Sequence, residues 1–192
     1  MRRRAVSLAV ALLFASTATA AQQVGVTADV PLASPVGAGT RNLSFGVVTP
    51  IAGQIVDVDV PAAAAAVSGN IFAGEFRYDV TAARGLDFIM ATPAFLIGPG
   101  LPPLTVTFDG MQYGGYCIVA LTGCTLTNFN PAAPGSIRVC ARTLGSGVCH
   151  ANRMFAPGTE LAVYIGGRLS VPSTARAGLY SGTITLTIVQ VY

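Results

Sequence analysis

Hydrophobic and polar positions alternate with a period of two along most of this chain. Val24, Val26, Ala28 and Val30 are separated by Gly25, Thr27 and Asp29, and Val56, Val58 and Val60 by Asp57 and Asp59. Phe76, Tyr78 and Val80 alternate with Arg77 and Asp79, Leu104, Val106 and Phe108 with Thr105 and Thr107, and Ile184, Leu186 and Ile188 with Thr185 and Thr187. Successive side chains of a strand point to opposite faces. Each segment therefore predicts a strand with one buried and one wet face, as in antiparallel sheets. Residues 43–48, 86–91, 136–141 and 161–171 are less regular strand candidates.

Proline and glycine punctuate the pattern. Residues 31–40, 92–103, 130–135 and 156–158 have the composition of linkers and turns. The alanine run 62–66 follows Pro61 and is too short to sustain an isolated helix, so it reads as a loop. No long amphipathic stretch and no internal repeat is visible. Near the C-terminus Gln190 breaks the alternation, and Val189 and Val191 make both faces apolar. That predicts either a strand covered on two sides or a β-bulge. The expected fold is all-β, most simply an antiparallel β-sandwich over residues 41–192.

The N-terminus changes how the charge is read. Arg2, Arg3 and Arg4 precede an apolar stretch from Ala5 to Phe14, and Ala18-Thr19-Ala20 follows. These are the parts of a secretory signal peptide over residues 1–20, cut after Ala20 or Ala21. The apolar stretch is about half of the roughly 20 residues a membrane-spanning helix needs, so no stable membrane span is expected. Of the 11 basic and 8 acidic residues, three arginines leave with the signal, and the formal +3 falls to about zero. With no net positive charge, neither nucleic acid nor anionic lipid is an expected partner. The expected location is the periplasm on the way to the cell surface or the extracellular space.

Cys117, Cys124, Cys140 and Cys149 are even in number and sit in one third of the chain, which in an oxidising compartment predicts two disulfides. Their gaps are wider than those of a zinc site. Two connectivities stay open. Sequential pairs would close two small loops. Nested pairs, 117 with 149 and 124 with 140, would staple a hairpin around residues 130–135, in keeping with antiparallel register.

Catalytic chemistry has no visible carrier, and the expectation is that the chain is not an enzyme. His150 is the only histidine and lies beside Cys149, so it reads as a loop residue rather than the base of a nucleophile. Asp57 and Asp59 lie on the wet face of a strand and lack the glycine and distal glutamate of a calcium loop. Glu75 and Glu160 are the only glutamates, with no sign that they share a cleft. No phosphate-binding glycine loop is present. No cofactor or metal is implied.

Two stretches carry a family resemblance. Leu43-Ser44-Phe45-Gly46-Val47-Val48-Thr49-Pro50 resembles the opening motif of the bacterial domain-of-unknown-function 4402 group. Gly178-Leu179-Tyr180-Ser181-Gly182-Thr183-Ile184-Thr185-Leu186-Thr187 resembles its closing strand, and residues 164–171 the Gly-Gly strand before it. Both ends are also similar to spore-coat-protein-U-like subunits of chaperone–usher pili. The cysteine-bearing middle matches no part of that pattern. The resemblance implies an immunoglobulin-like fold and a fimbrial or surface subunit. Its implied partners are copies of itself or related subunits, a periplasmic chaperone and an outer-membrane usher.

In such subunits a sandwich lacking one strand is completed by a neighbour's N-terminal extension through β-strand addition. Residues 21–40 form the matching extension and linker, with 22–30 as the donor strand. Val24, Val26, Ala28 and Val30 are then the donor residues, and Ile184, Leu186 and Ile188 line the receiving groove. Two alternatives stand beside this reading. Residues 22–30 could instead be the first strand of a complete monomeric sandwich, and the chain could instead be a secreted binding or adhesion module.

Overall fold

The computed structural model describes residues 41–48, 53–60, 71–119 and 124–192. In chain order its strands are β1 (Ser44–Phe45), β2 (Gln54–Val58), β3 (Ile71–Phe72), β4 (Gly74–Asp79), β5 (Gly85–Ala91), β6 (Phe95–Leu96) and β7 (Leu104–Thr107). There follow β8 (Gly114–Val119), β9 (Thr127–Phe129), β10 (Ile137–Cys140), β11 (Glu160–Ile165), β12 (Gly167–Val171) and β13 (Thr185–Val191). The fold is all-β, and every strand pairing is antiparallel.

The strands form sheets ordered β1-β3, β10-β5-β13, β4-β11-β8-β9 and β2-β12-β7-β6. Register joins some of these. Ser44 faces Phe72 and Phe45 faces Ile71, and the isolated bridge of Arg41 with Glu75 continues that ladder without a shift. The segment from Arg41 to Phe45 thus borders the sheet that β4 opens.

Residues 160–171 run as one long strand through two sheets, β11 in the first and β12 in the second. β8 and β7 flank it on one side, and β4 and β2 on the other. The change of sheet falls at Gly166. A Cβ there would collide with the Val58 carbonyl oxygen, so only glycine lets the strand pass. The Gly166 N–H donates to the Tyr113 carbonyl at 2.7 Å, which holds the bend.

Burial follows the alternation. Along β7, Leu104 and Val106 are buried while Thr105 and Thr107 are exposed. In β4 Phe76 is buried and Asp79 exposed. Leu86 and Phe88 from β5, Leu161, Val163 and Ile165 from β11, Leu169 and Val171 from β12, and Leu186 from β13 enter one hydrophobic cluster. Phe88 meets Phe129 of β9 edge-on at 5.6 Å and Tyr116 of β8 at 6.2 Å, which locks the β5 sheet onto the β8–β9 sheet. Edge-to-face aromatic pairs of this kind contribute about 1 kcal/mol beyond their buried area. No helix among the described residues is long and apolar enough to cross a membrane.

Candidate functional site

The receiving-groove residues named from sequence fall on or next to β13. Ile184 is fully buried, Leu186 nearly so, and Ile188 is partly buried against the same core. Leu186 lies opposite Met90, and Ile188 opposite Phe88. These side chains therefore face the interior. What β13 leaves open is its backbone edge. It is the outer strand of the β10-β5-β13 sheet, and its far side has no strand partner among the described residues. The donor residues Val24, Val26, Ala28 and Val30 lie outside the described residues.

The broken alternation near the C-terminus is a β-bulge. Ile188 pairs with Phe88, but Gln190 rather than Val189 pairs with Asp87. Val189 and Val191 are both about half exposed, at 51% and 52%, so this end of β13 presents apolar side chains to solvent. An exposed apolar edge strand is a template for further strand pairing.

Three polar side chains lock the same sheet across its outer face. Asp87 on β5 is only 4% exposed and accepts two hydrogen bonds of 2.9 Å from Arg138 on β10. Tyr192 Oη donates to Asp87 Oδ2 at 2.6 Å, and the Arg138 guanidinium also lies 5.2 Å from the Tyr192 ring centre. Beyond the bulge the ladder resumes, with the Tyr192 N–H donating to Gly85 O and the Arg84 N–H to Tyr192 O, both at 2.9 Å. The Arg138 hydrogen bonds hold the Asp87 carboxyl below its ordinary value against the opposing effect of burial, with Tyr192 adding to them. The hydrogen bond to Asp87 is the main cause that raises the Tyr192 phenol.

A matching trio sits on the β2–β12 pair. Asp57 accepts from Arg168 Nε at 2.8 Å and from Tyr113 Oη at 2.6 Å. The Arg168 hydrogen bond, and after it the one from Tyr113, lowers the Asp57 pKa. The two candidate calcium carboxylates therefore separate. Asp57 is engaged by an arginine and a phenol, and Asp59 stands exposed beside it. The glutamates also have structural partners: Arg77 bridges Glu75 at 2.6 Å and Glu160 at 3.1 Å.

The disulfides are sequential, Cys117 with Cys124 and Cys140 with Cys149, which decides between the two connectivities left open by sequence. The nested arrangement fails because Cys117 and Cys140 stand on different sheets, on β8 and β10. Cys140–Cys149 closes a short hairpin that packs on β5. At Gly85 a Cβ would meet Cys149 Sγ and the Val139 carbonyl oxygen, so glycine is needed there as well. His150 follows this hairpin, and its Nδ1 accepts from the Asn152 N–H at 3.2 Å. Its neighbour Cys149 is oxidised and offers no thiolate.

Sequence reasoning missed one further feature. A groove of about 470 Å³ crosses the outer face of the β2–β12–β7 sheet and is lined by Ile55, Thr105, Ser170, Pro103 and Pro172, among others, with no charged side chain among the described residues that line it. Gln54 also lines it, and its Oε1 is buried with no hydrogen-bond partner among the described residues. Only the cross-strand row of Ile55, Ser170 and Thr105 signals this groove, and that row needs the register to be known. The chain matches no family model, no curated protein and no solved structure.

Proposed function

We propose that this chain is an exported structural subunit of a pilus-like or surface-coat assembly, built as an immunoglobulin-like sandwich and polymerised by β-strand addition. The observation that carries the reading is the open edge of β13, seven residues long, apolar at its bulged end and without a strand partner among the described residues. Strand addition supplies backbone hydrogen bonds along such an edge, while alternate side chains fill adjoining pockets. Residues 22–30 have the alternation and the length of a donor. The motifs at 43–50 and 178–187 support the same class of subunit, with a periplasmic chaperone and an outer-membrane usher as assembly partners.

The test is a comparison of boiled and unboiled surface-sheared protein on a denaturing gel. Polymers held by added strands give a ladder that collapses on boiling, and deletion of residues 22–30 abolishes it. A monomer band in both lanes, or a ladder that survives the deletion, overturns the reading. The uncharged groove above β12 favours a second reading, a monomeric binding or adhesion module. Under that reading no ladder forms, and the groove is where a ligand binds.

A further inference from the structure

The near-zero net charge of the mature chain conceals a strong segregation. Residues 110–159 contain no aspartate or glutamate and carry Arg138, Arg142, Arg153 and His150. The fold gathers these at one end together with Arg84. The Ala141 N–H donates to Arg84 O, the His150 N–H to Arg142 O and the Arg153 N–H to His150 O, which makes the four segments neighbours. All four arginines are exposed, and Arg84, Arg142 and Arg153 make no ion pair among the described residues. The acids at this end are occupied: Asp87 by Arg138, Glu160 by Arg77, and Asp79 by the Thr81 N–H.

Apolar groups protrude from the middle of this basic field. The hairpin closed by Cys140–Cys149 turns through Leu144-Gly145-Ser146-Gly147, with Gly147 at φ 77° and its N–H donating to Leu144 O. The Leu144 N–H donates to Val148 O, and Thr143 bridges Cys149. In that register Leu144 pairs with Val148, and Arg142 with His150 one row behind. Alternation puts these four side chains on one face of the hairpin, opposite Thr143 and Cys149. Leu144, Val148 and nearby Met154 are 44%, 49% and 61% exposed. Behind the tip lies a cleft of about 200 Å³ lined by Arg84, Arg138, Val148, Cys149, Ala151 and Tyr192.

We infer that the Cys140–Cys149 hairpin docks on an anionic lipid surface, with Leu144 and Val148 entering the headgroup boundary and Arg84, Arg142 and Arg153 meeting lipid phosphates. An apolar tip backed by a row of cations suits the interface between acyl chains and phosphates, because each layer of the surface meets its complement. A soluble polyanion would use the arginines and leave the Leu144–Val148 pair in water. A second copy of the chain would need a free acidic patch, and among the described residues the acids are engaged within the chain, Asp57 by Arg168, Asp79 by the Thr81 N–H, Asp87 by Arg138, Asp109 by Asn130, and Glu75 and Glu160 by Arg77, with Asp59 the one exception.

The test is co-sedimentation of the mature oxidised chain with vesicles of phosphatidylcholine alone, or with one part phosphatidylglycerol to three parts phosphatidylcholine. Binding is expected only to the mixed vesicles and is expected to fall as salt rises. Each Arg→Gln change at 84, 142 or 153 is expected to weaken it about fivefold. The double variant Leu144→Ser/Val148→Ser, at exposed positions that leave the fold intact, is expected to abolish sedimentation while unfolding at the parent temperature. Failure to bind the mixed vesicles overturns the inference. Heparin binding that equals vesicle binding and ignores the double variant also overturns it in favour of a soluble polyanion. Self-association without vesicles, lost in the Arg142→Gln variant, would overturn it in favour of a second copy. The outcome is independent of the strand-addition ladder.

Discussion

Asp87 is the residue whose chemistry bears most directly on stability. A carboxylate with this little exposure is tolerated only because Arg138 and Tyr192 satisfy both of its oxygens. Its pKa is lowered from the ordinary 3.8, so its contribution is complete above about pH 4 and is lost as the pH falls through the lower folded value. Asp57 behaves in the same sense through Arg168. Chemical denaturation from pH 7 to pH 2 should therefore show stability falling in acid. Asp87→Asn should lower stability at pH 7 by about 1–3 kcal/mol and flatten the acid limb. A variant as acid-sensitive as the parent would show that the ion pair is not the source. Arg138→Ala should melt at a lower temperature than Asp87→Asn, because it strips the buried carboxylate of its cation rather than removing the charge.

At the scale of elements, two glycines and two disulfides decide how strands meet. Gly166→Ala forces a methyl against the Val58 carbonyl and should cost about 1–3 kcal/mol in equilibrium unfolding. Replacing both Cys140 and Cys149 with serine should cost about 2–3 kcal/mol, as expected for opening a short loop. A neutral result for the cysteine pair would mean that the hairpin is held by its backbone bonds alone. Period-two patterning predicted β2, β4, β7 and β13 because each has one apolar face that the core covers. The less regular runs at 86–91 and 136–141 became β5 and β10. The run at 161–171 predicts a single strand, and the structure divides it at Gly166, since the close approach of Val58 from another part of the chain has no local signal. β8 begins with two glycines and β6 lies within a proline-rich stretch, so neither displays alternation, and only their partners β11 and β7 make them strands. The broken pattern at Gln190 left a strand covered on two sides or a bulge, and the register shift between Ile188 and Gln190 decides for the bulge. The Asp87–Arg138–Tyr192 trio was invisible, because Asp87 and Arg138 become neighbours only through the β5–β10 register.

At the scale of the whole molecule, the described residues combine a basic pole at the cystine hairpin with an apolar edge at the bulged end of β13. The first is the basis of the proposed docking on anionic lipid, a partner class that net charge alone argued against. The second makes an edge-blocking substitution informative. Val189→Lys places a charge at the bulge where the side chain is half exposed. It should leave thermal stability within about 0.5 kcal/mol of the parent while removing the boil-sensitive ladder, since charged edge residues oppose strand addition. A ladder that persists in Val189→Lys would move the joining edge elsewhere in the fold.

The pairing of β5 with β13 has a consequence in time. Tyr192 and Asp87 are 105 residues apart, so β5 is made, and leaves any channel that releases the chain N-terminus first, long before its mate arrives. Until then β5 can gain only the short β10 as a strand neighbour in its own sheet, and the loop to be closed is among the longest in the fold. Such topology slows acquisition of the native state and lengthens exposure to misassociation, which is the circumstance in which a temporary escort is most useful.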